Sequence, residues 1–117
     1  MHALRALDLD SFPDIVITRE DVWNPKPDPE IYLLAAERLG VPPGECLVLE
    51  DSSNGVRAGI AAGMSVVAFA TPFTAPGLDS SRVLEVRWIV RDPAELLDIV
   101  ESRIIEHNLE ARSGVAG

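Results

Sequence analysis

The fold of this chain is decided by the stretch Leu47-Val48-Leu49-Glu50-Asp51-Ser52-Ser53-Asn54-Gly55. Its apolar half has the composition of a buried strand, which ends in two carboxylates and is followed by short polar residues that can begin a helix. Ligands of open α/β sheets bind where the strands end, and adjacent carboxylates are oxygen ligands that suit Mg²⁺. The residues alone leave a second interpretation open, in which Asp51 caps the helix and Glu50 is solvated.

Similar apolar runs recur along the chain and predict strands that alternate with helices. The runs occupy residues 14–18, 46–50, 65–69 and 86–90. Helical spacing follows Pro29 and ends at Gly40, and further helices are predicted to begin near Ser53 and at Asp92-Pro93. Nearly continuous apolar strands are typical of a sheet covered on both faces. The predicted fold class is therefore α/β, with a mainly parallel sheet and flanking helices.

A second informative segment is Asn24-Pro25-Lys26-Pro27-Asp28-Pro29-Glu30-Ile31-Tyr32. Prolines fix the backbone φ angle, so this loop loses little freedom when it holds Lys26 in one place. A fixed ammonium near a helix start could anchor a phosphate. Taken alone, however, a lysine in a proline-rich turn is most often a solvated surface residue.

Together the two segments resemble the haloacid dehalogenase-like (HAD) superfamily. The likeness rests on Lys-Pro-x-Pro, a Tyr-containing helix, a Leu-Gly stop, an apolar strand, Glu-Asp-Ser, Gly-Val and Ala-Gly-Met, over roughly residues 11–92. The order and spacing are most similar to the branch that contains phosphoglycolate phosphatase and β-phosphoglucomutase. The resemblance implies part of a Rossmann-like core domain, without the cap domain, from a phosphatase or phosphomutase that acts on a small phosphorylated metabolite.

The resemblance also implies roles for individual residues. Lys26 matches the catalytic lysine that binds the phosphoryl group and stabilises its charge, so it is also a predicted substrate-binding residue. Asp51 would bind Mg²⁺ directly, and Glu50 would bind it through a water. Mg²⁺ is thus the predicted cofactor. The residues that follow the acidic pair match further family positions: Asn54 as a substrate-binding residue, with Ser52 and Gly55 in support.

The family's first motif, an apolar strand ending in Asp-x-Asp, provides its aspartate nucleophile. The segment Asp8-Leu9-Asp10-Ser11 is rejected as this motif, because no apolar strand precedes it and no glycine follows Asp10. Residues 7–14 instead match the segment before the family's third strand. Pro25 also departs from the glycine that usually precedes the lysine. We therefore expect this chain alone to be inactive, since catalysis needs a nucleophile.

The family's sheet places two more strands between the strand at residues 14–18 and the strand at residues 46–50. Without them, strand edges would carry unpaired N–H and C=O groups. Three arrangements are predicted: the two strands pair directly, strands come from another copy, or the chain is one piece of a longer protein. A homo-oligomer or a missing N-terminal half is accordingly an expected partner.

Two other functions are compatible with parts of the pattern. A non-catalytic HAD-derived binding or oligomerisation module would keep the fold and use the open strand edge for contacts. A response-regulator receiver domain shares an acidic pair and a lysine, but there the lysine comes last, whereas Lys26 precedes Glu50. The order of the residues therefore disfavours the receiver.

Composition sets the remaining limits. With 117 residues, 47% of them hydrophobic, the chain is predicted to form one domain over residues 1–106 and a flexible tail over 107–117. A net charge of −9 disfavours nucleic acid and membrane surfaces as partners. No long apolar span or signal core is evident, which predicts a cytoplasmic protein. The single cysteine, Cys46, is predicted to be a buried thiol.

Overall fold

The computed structural model describes residues 2–4 and 15–112, with side chains from residue 17 onward. The strands are β1 (His2–Leu4), β2 (Ile15–Ile17), β3 (Leu47–Glu50), β4 (Ser65–Phe69) and β5 (Ile89–Val90). The helices are α1 (Glu30–Leu39), α2 (Ser53–Ala61), α3 (Ala75–Ser81) and α4 (Leu96–Arg112). The rejected motif at Asp8 and Asp10 lies outside the described residues.

The main sheet is parallel, in the order β3-β4-β5, which confirms the predicted fold class. Its central strand β4 contains Val66, Val67 and Ala68, none of which is more than 1% exposed. Strand β4 carries apolar residues on consecutive positions because helices cover both of its faces. One core cluster joins the sheet to α1 and α2, and a second joins Val67 and Val90 to Val100 of α4.

The predicted strand at residues 86–90 is wrong in its first half. Val86–Trp88 form a 3₁₀ turn, in which the Trp88 N–H donates to the Glu85 carbonyl at 2.9 Å, and only Ile89–Val90 pair with β4. The turn leaves Val86 73% exposed and buries Trp88. Hydrophobicity alone therefore predicted a longer strand than the chain forms.

The predicted helix ends are confirmed where a specific residue sets them. Helix α1 ends at Gly40, whose φ of +69° lies in the left-handed region that favours glycine. Helix α2 begins at Ser53, after Ser52, whose hydroxyl accepts a hydrogen bond from the Gly55 N–H at 3.0 Å. The predicted flexible tail is wrong for residues 107–112, because helix α4 continues through them.

Strand β2 does not join the parallel sheet within the part of the chain that the structure describes. It pairs antiparallel with β1, in the register Ala3 to Val16. Direct pairing of β2 with β3, one of the three predicted arrangements, is therefore not observed among these residues. Helix α1 packs against both β2 and α2, which keeps the loop after β2 close to the end of β3.

None of the described helices is long and apolar enough to span a bilayer.

Candidate phosphate-binding site

The site is centred on an ion pair between Lys26 and Glu50. Lys26 Nζ lies 2.9 Å from Glu50 Oε2, and the two side chains are 17% and 0% exposed. Lys26 comes from the loop before α1, and Glu50 is the last residue of β3. The two segments that the sequence singled out thus meet through a charge-assisted hydrogen bond.

Tyr32 completes this contact from the first turns of α1. Its hydroxyl donates to Glu50 Oε2 at 2.5 Å, and Lys26 Nζ lies 5.3 Å from the centre of its ring. Burial, and then the hydrogen bond to Glu50, raise the pKa of Tyr32 above its ordinary value. Tyr32 therefore stays protonated and acts as a donor. In the sequence, Tyr32 served only as one residue of the family's motif pattern. Its position two residues after Glu30 did not predict the hydrogen bond to Glu50.

The second carboxylate oxygen of Glu50 faces the loop between β3 and α2. Glu50 Oε1 accepts the Asp51 N–H at 3.0 Å and the Ser52 N–H and hydroxyl at 3.4 Å each. Burial alone would raise the pKa of Glu50, but its hydrogen bonds with Tyr32 and Lys26 outweigh burial and lower the pKa to about 2. The Glu50 carboxylate is therefore charged at neutral pH.

Ser52 and Gly55, the predicted supporting residues, shape this loop. Ser52 caps α2, as its hydroxyl accepts from the Gly55 N–H. A Cβ at Gly55 would overlap the side chain of Glu50. Glycine at this position lets the helix start lie directly against the buried carboxylate.

The loop that carries Lys26 is held in place by Glu30, a residue that the sequence analysis missed. Glu30 Oε1 accepts the Trp23 N–H at 2.7 Å, and Oε2 accepts the Asn24 N–H at 2.9 Å and the Asn24 amide at 3.1 Å. The backbone N–H groups of Trp23 and Asn24 lower the pKa of Glu30. The sequence offered one indication of this role, because Glu30 lies in the first turn of a predicted helix and directly after a proline-rich loop.

The turn around Lys26 forms with proline at position 25. The Asp28 N–H donates to the Pro25 carbonyl at 3.1 Å, and the Asp28 carboxylate accepts the Glu30 N–H at 2.9 Å. Pro25, which departs from the family's glycine, is therefore compatible with a closed turn.

A cavity of about 250 Å³ opens beside Lys26. Its lining comes from the loop after β2, the Lys26 loop, α1 and the start of α2, and consists of Thr18, Arg19, Val22, Pro25, Lys26, Ile31 and Asn54. The structure therefore places Lys26 and Asn54, both predicted substrate-binding residues, in one cavity. The cavity lining also includes Arg19, a second cationic residue that the sequence motifs did not identify.

The acidic pair can supply part of a magnesium site. Asp51 is half-buried at the end of β3, and proteins commonly hold Mg²⁺ through one or two carboxylates plus substrate phosphate. Both oxygens of Glu50 already accept hydrogen bonds. Among residues 17–112, no group of three or more His, Cys, Asp or Glu side chains could hold a metal. Asp51 thus fits the ion as one ligand, and its metal role and that of Glu50 stay predictions.

Cys46 lies away from this site. Its thiol is half-buried and donates to the Pro42 carbonyl at 3.5 Å, while burial and then the Glu45 charge raise its pKa. A raised pKa keeps the sulfur protonated and unreactive.

The chain belongs to the haloacid dehalogenase-like hydrolases, whose family model matches residues 1–63. It is 45% identical over 67 residues to hexitol phosphatase A of Escherichia coli, a match that covers 57% of this chain and 31% of that protein. It is 48% identical over 64 residues to a phosphorylated carbohydrates phosphatase of Thermotoga maritima, covering 55% of this chain and 30% of that one. The matches thus span under a third of these relatives' length.

A solved structure described as a β-phosphoglucomutase from Thermotoga maritima has a similar fold. It superposes with a TM-score of 0.62 at 35% identity and covers 82% of this chain and 44% of that one. These similarities confirm the predicted phosphatase and phosphomutase branch of the family.

Proposed function

We propose that this chain forms the phosphate-binding half of a HAD-type phosphohydrolase that acts on a small phosphorylated metabolite. The observation that carries the proposal is the Lys26 ammonium, fixed by Glu50 beside a cavity that Asn54 also lines. The family membership supplies the reaction class. The relatives named for hexitol and phosphorylated carbohydrates make sugar and sugar-alcohol phosphates the first substrates to test.

Each residue has a distinct part in this proposal. Lys26 binds the phosphoryl oxygens and offsets the charge that develops during transfer. Glu50 fixes Lys26, and Asn54 contacts the substrate from the start of α2. Asp51 would hold Mg²⁺, and the bound ion would supply positive charge that offsets the charge of the phosphate.

Lys26 is the only lysine in the chain, which permits a direct test of phosphate binding. Acylation by an amine-reactive ester, followed by mass spectrometry, reports on one side-chain amine. Inorganic phosphate should slow this acylation by about threefold or more, because the bound anion covers the ammonium. Asn54→Ala should reduce the protection, and Asn108→Ala, an exposed position on α4, should not. An acylation rate that phosphate leaves unchanged would contradict the proposal.

The chain alone is expected to lack activity, because neither Lys26 nor the Glu50-Asp51 pair can replace the nucleophile without giving up its own role. The assay is hydrolysis of p-nitrophenyl phosphate and of a hexitol phosphate with and without Mg²⁺. Background rates are expected in every case. Magnesium-dependent turnover that Lys26→Met abolishes would show that the nucleophile lies within these residues.

The second candidate is a non-catalytic binding module, which is favoured by the outer edge of β3, because no strand within the described part of the chain pairs with that edge. A module would keep the fold and retain only weak affinity for Mg²⁺ or phosphate. The acylation test separates the two by the degree of protection, since weak phosphate affinity gives little protection at Lys26.

A further inference from the structure

The cavity beside Lys26 is lined by a second cationic residue, Arg19. Arg19 begins a 3₁₀ turn, Arg19–Asp21, that directly follows β2, and it lines the cavity together with Lys26 and Asn54. None of the described residues that line the cavity is acidic, although the chain contains 19 acidic and 10 basic residues. The cavity is therefore a local region of positive charge on an acidic chain.

The acidic neighbours of Arg19 are bonded to another residue. The Asp21 carboxylate accepts the Thr18 N–H at 2.8 Å, and the Thr18 hydroxyl donates to Glu20 at 3.4 Å. Arg19 has no ion pair among the described residues, whereas the Arg91 guanidinium, on the surface, pairs with a carboxylate. The guanidinium of Arg19 thus keeps its five N–H donors for an anionic ligand.

The start of α2 adds a neutral donor to the same cavity. Arg57 Nη1 donates to Asn54 Oδ1 at 3.3 Å, so the amide oxygen of Asn54 is engaged along α2. An amide whose oxygen is engaged in this way keeps its NH₂ group for another acceptor. Phosphate and carboxylate oxygens are such acceptors, so Asn54 and the two cations suit the same kind of ligand.

The charges at the cavity exceed what one phosphoryl group requires of Lys26 and Asn54. The Lys26 ammonium is held by Glu50, and Arg19 stands on a separate turn seven residues earlier in the chain. The cavity volume of about 250 Å³ approaches the lower end of the roughly 300–1,000 Å³ range of small-molecule sites. The cavity therefore has room for a phosphoryl group and for a further group of the same molecule.

We infer that the substrate carries a second anionic group, a carboxylate or a second phosphate, and that Arg19 binds it. The inference rests on the proposed function, because it takes Lys26 and Asn54 as the site of the first phosphate. Arg19 is then a specificity-determining residue, since its planar guanidinium matches two oxygens of a carboxylate or phosphate. A sugar phosphate without a second charge would leave Arg19 unpaired.

Acylation of Lys26 in the 117-residue chain measures this preference with two matched pairs of probes. Glycerol 3-phosphate and 3-phosphoglycerate differ in a hydroxymethyl group against a carboxylate. A hexitol 6-phosphate and the corresponding 1,6-bisphosphate differ in a second phosphate. In at least one pair, the doubly anionic probe should half-protect Lys26 at a concentration about fivefold or more below that of its partner. The pair that responds identifies the second group as carboxylate or phosphate.

Variants of two arginines tie the preference to Arg19. Arg19→Met should abolish the preference and leave the half-protecting concentration of inorganic phosphate within about twofold of the wild-type value. Arg38→Met is the matched control, because it removes the same charge from an exposed position on α1 that does not line the cavity. It should keep the preference. Circular dichroism establishes that both variants are folded.

Two results would overturn the inference while the proposed function stands. The two probes of each pair could protect Lys26 equally well, or Arg19→Met and Arg38→Met could change the preference to the same extent. If neither inorganic phosphate nor any of the four probes protects Lys26, the proposed function fails and the inference fails with it.

Discussion

At the scale of single residues, Glu50 organises the site. Its carboxylate contacts the lysine loop, α1 and the start of α2 at once. The sequence placed Glu50 and Lys26 at one site through the family's motif order, and the structure brings them into contact. Tyr32 and Arg19 could not be assigned from sequence, because their contacts depend on side-chain directions and loop geometry that spacing does not encode. Glu30 was missed, although its place in the first turn of α1 was a signal in the sequence.

The charge of Glu50 should make stability depend on pH. Its pKa falls from 4.5 to about 2 on folding, so the stabilisation is present above pH 4.5 and is lost as pH falls toward 2. Glu50→Gln should lower the free energy of unfolding at pH 7 by up to about 3 kcal/mol, with the difference from wild type shrinking toward pH 2. Urea unfolding across this range measures it. Glu45→Gln, an exposed control, should show no such convergence, and a pH-independent deficit for Glu50→Gln would contradict the account.

Gly55 should tolerate no side chain. Gly55→Ala is expected to destabilise the chain by about 1–3 kcal/mol, because its Cβ would overlap the Glu50 side chain. Gly77→Ala is the matched control, since a Cβ at this position in α3 meets nothing within 4 Å and should be neutral or stabilising. Thermal unfolding compares them. Equal effects would mean that α2 does not press on Glu50.

At the scale of elements, the Lys26 loop is positioned by α1 through Glu30. Glu30→Ala should speed hydrogen exchange of the Trp23 and Asn24 amides about tenfold, because both lose their acceptor. Glu37→Ala, an exposed position later in α1, should leave these amides unchanged. In the wild type, their protection should decline as acid protonates Glu30, at a pH below 4.5. If the Trp23 and Asn24 amides stay protected in Glu30→Ala, the loop keeps its conformation without Glu30, which would contradict this account.

The success of the element predictions follows from burial. Residues 46–50 and 65–69 were predicted as strands from their apolar runs, and these runs match β3 and β4 closely. Four of the five β4 residues are buried, whereas Leu49 of β3 is exposed. The apolar run at residues 86–90 predicted too long a strand, because Trp88 is buried as part of a 3₁₀ turn and not of a strand. The sequence did not predict that helix α4 extends past residue 106. The last turns of the helix carry charged residues, which give no apolar periodicity.

At the scale of the whole molecule, the cavity beside Lys26 lies near the carboxyl end of β3, and no strand of the described residues pairs with the outer edge of β3. The predicted gap between the strands at 14–18 and 46–50 matches the observed separation of β2 and β3 into two sheets. The sequence could not distinguish the three ways to fill the gap, because a strand edge is satisfied equally by any extended segment.

The central claim is that Lys26 and the start of α2 form a phosphate site, and backbone amide NMR during a phosphate titration tests it most directly. We expect the largest shift changes at Lys26, Asn54 and Gly55, with a hexitol phosphate acting at the same amides and Lys26→Met removing the response. A folded chain whose amides at these positions do not respond, or respond equally in Lys26→Met, would contradict the claim.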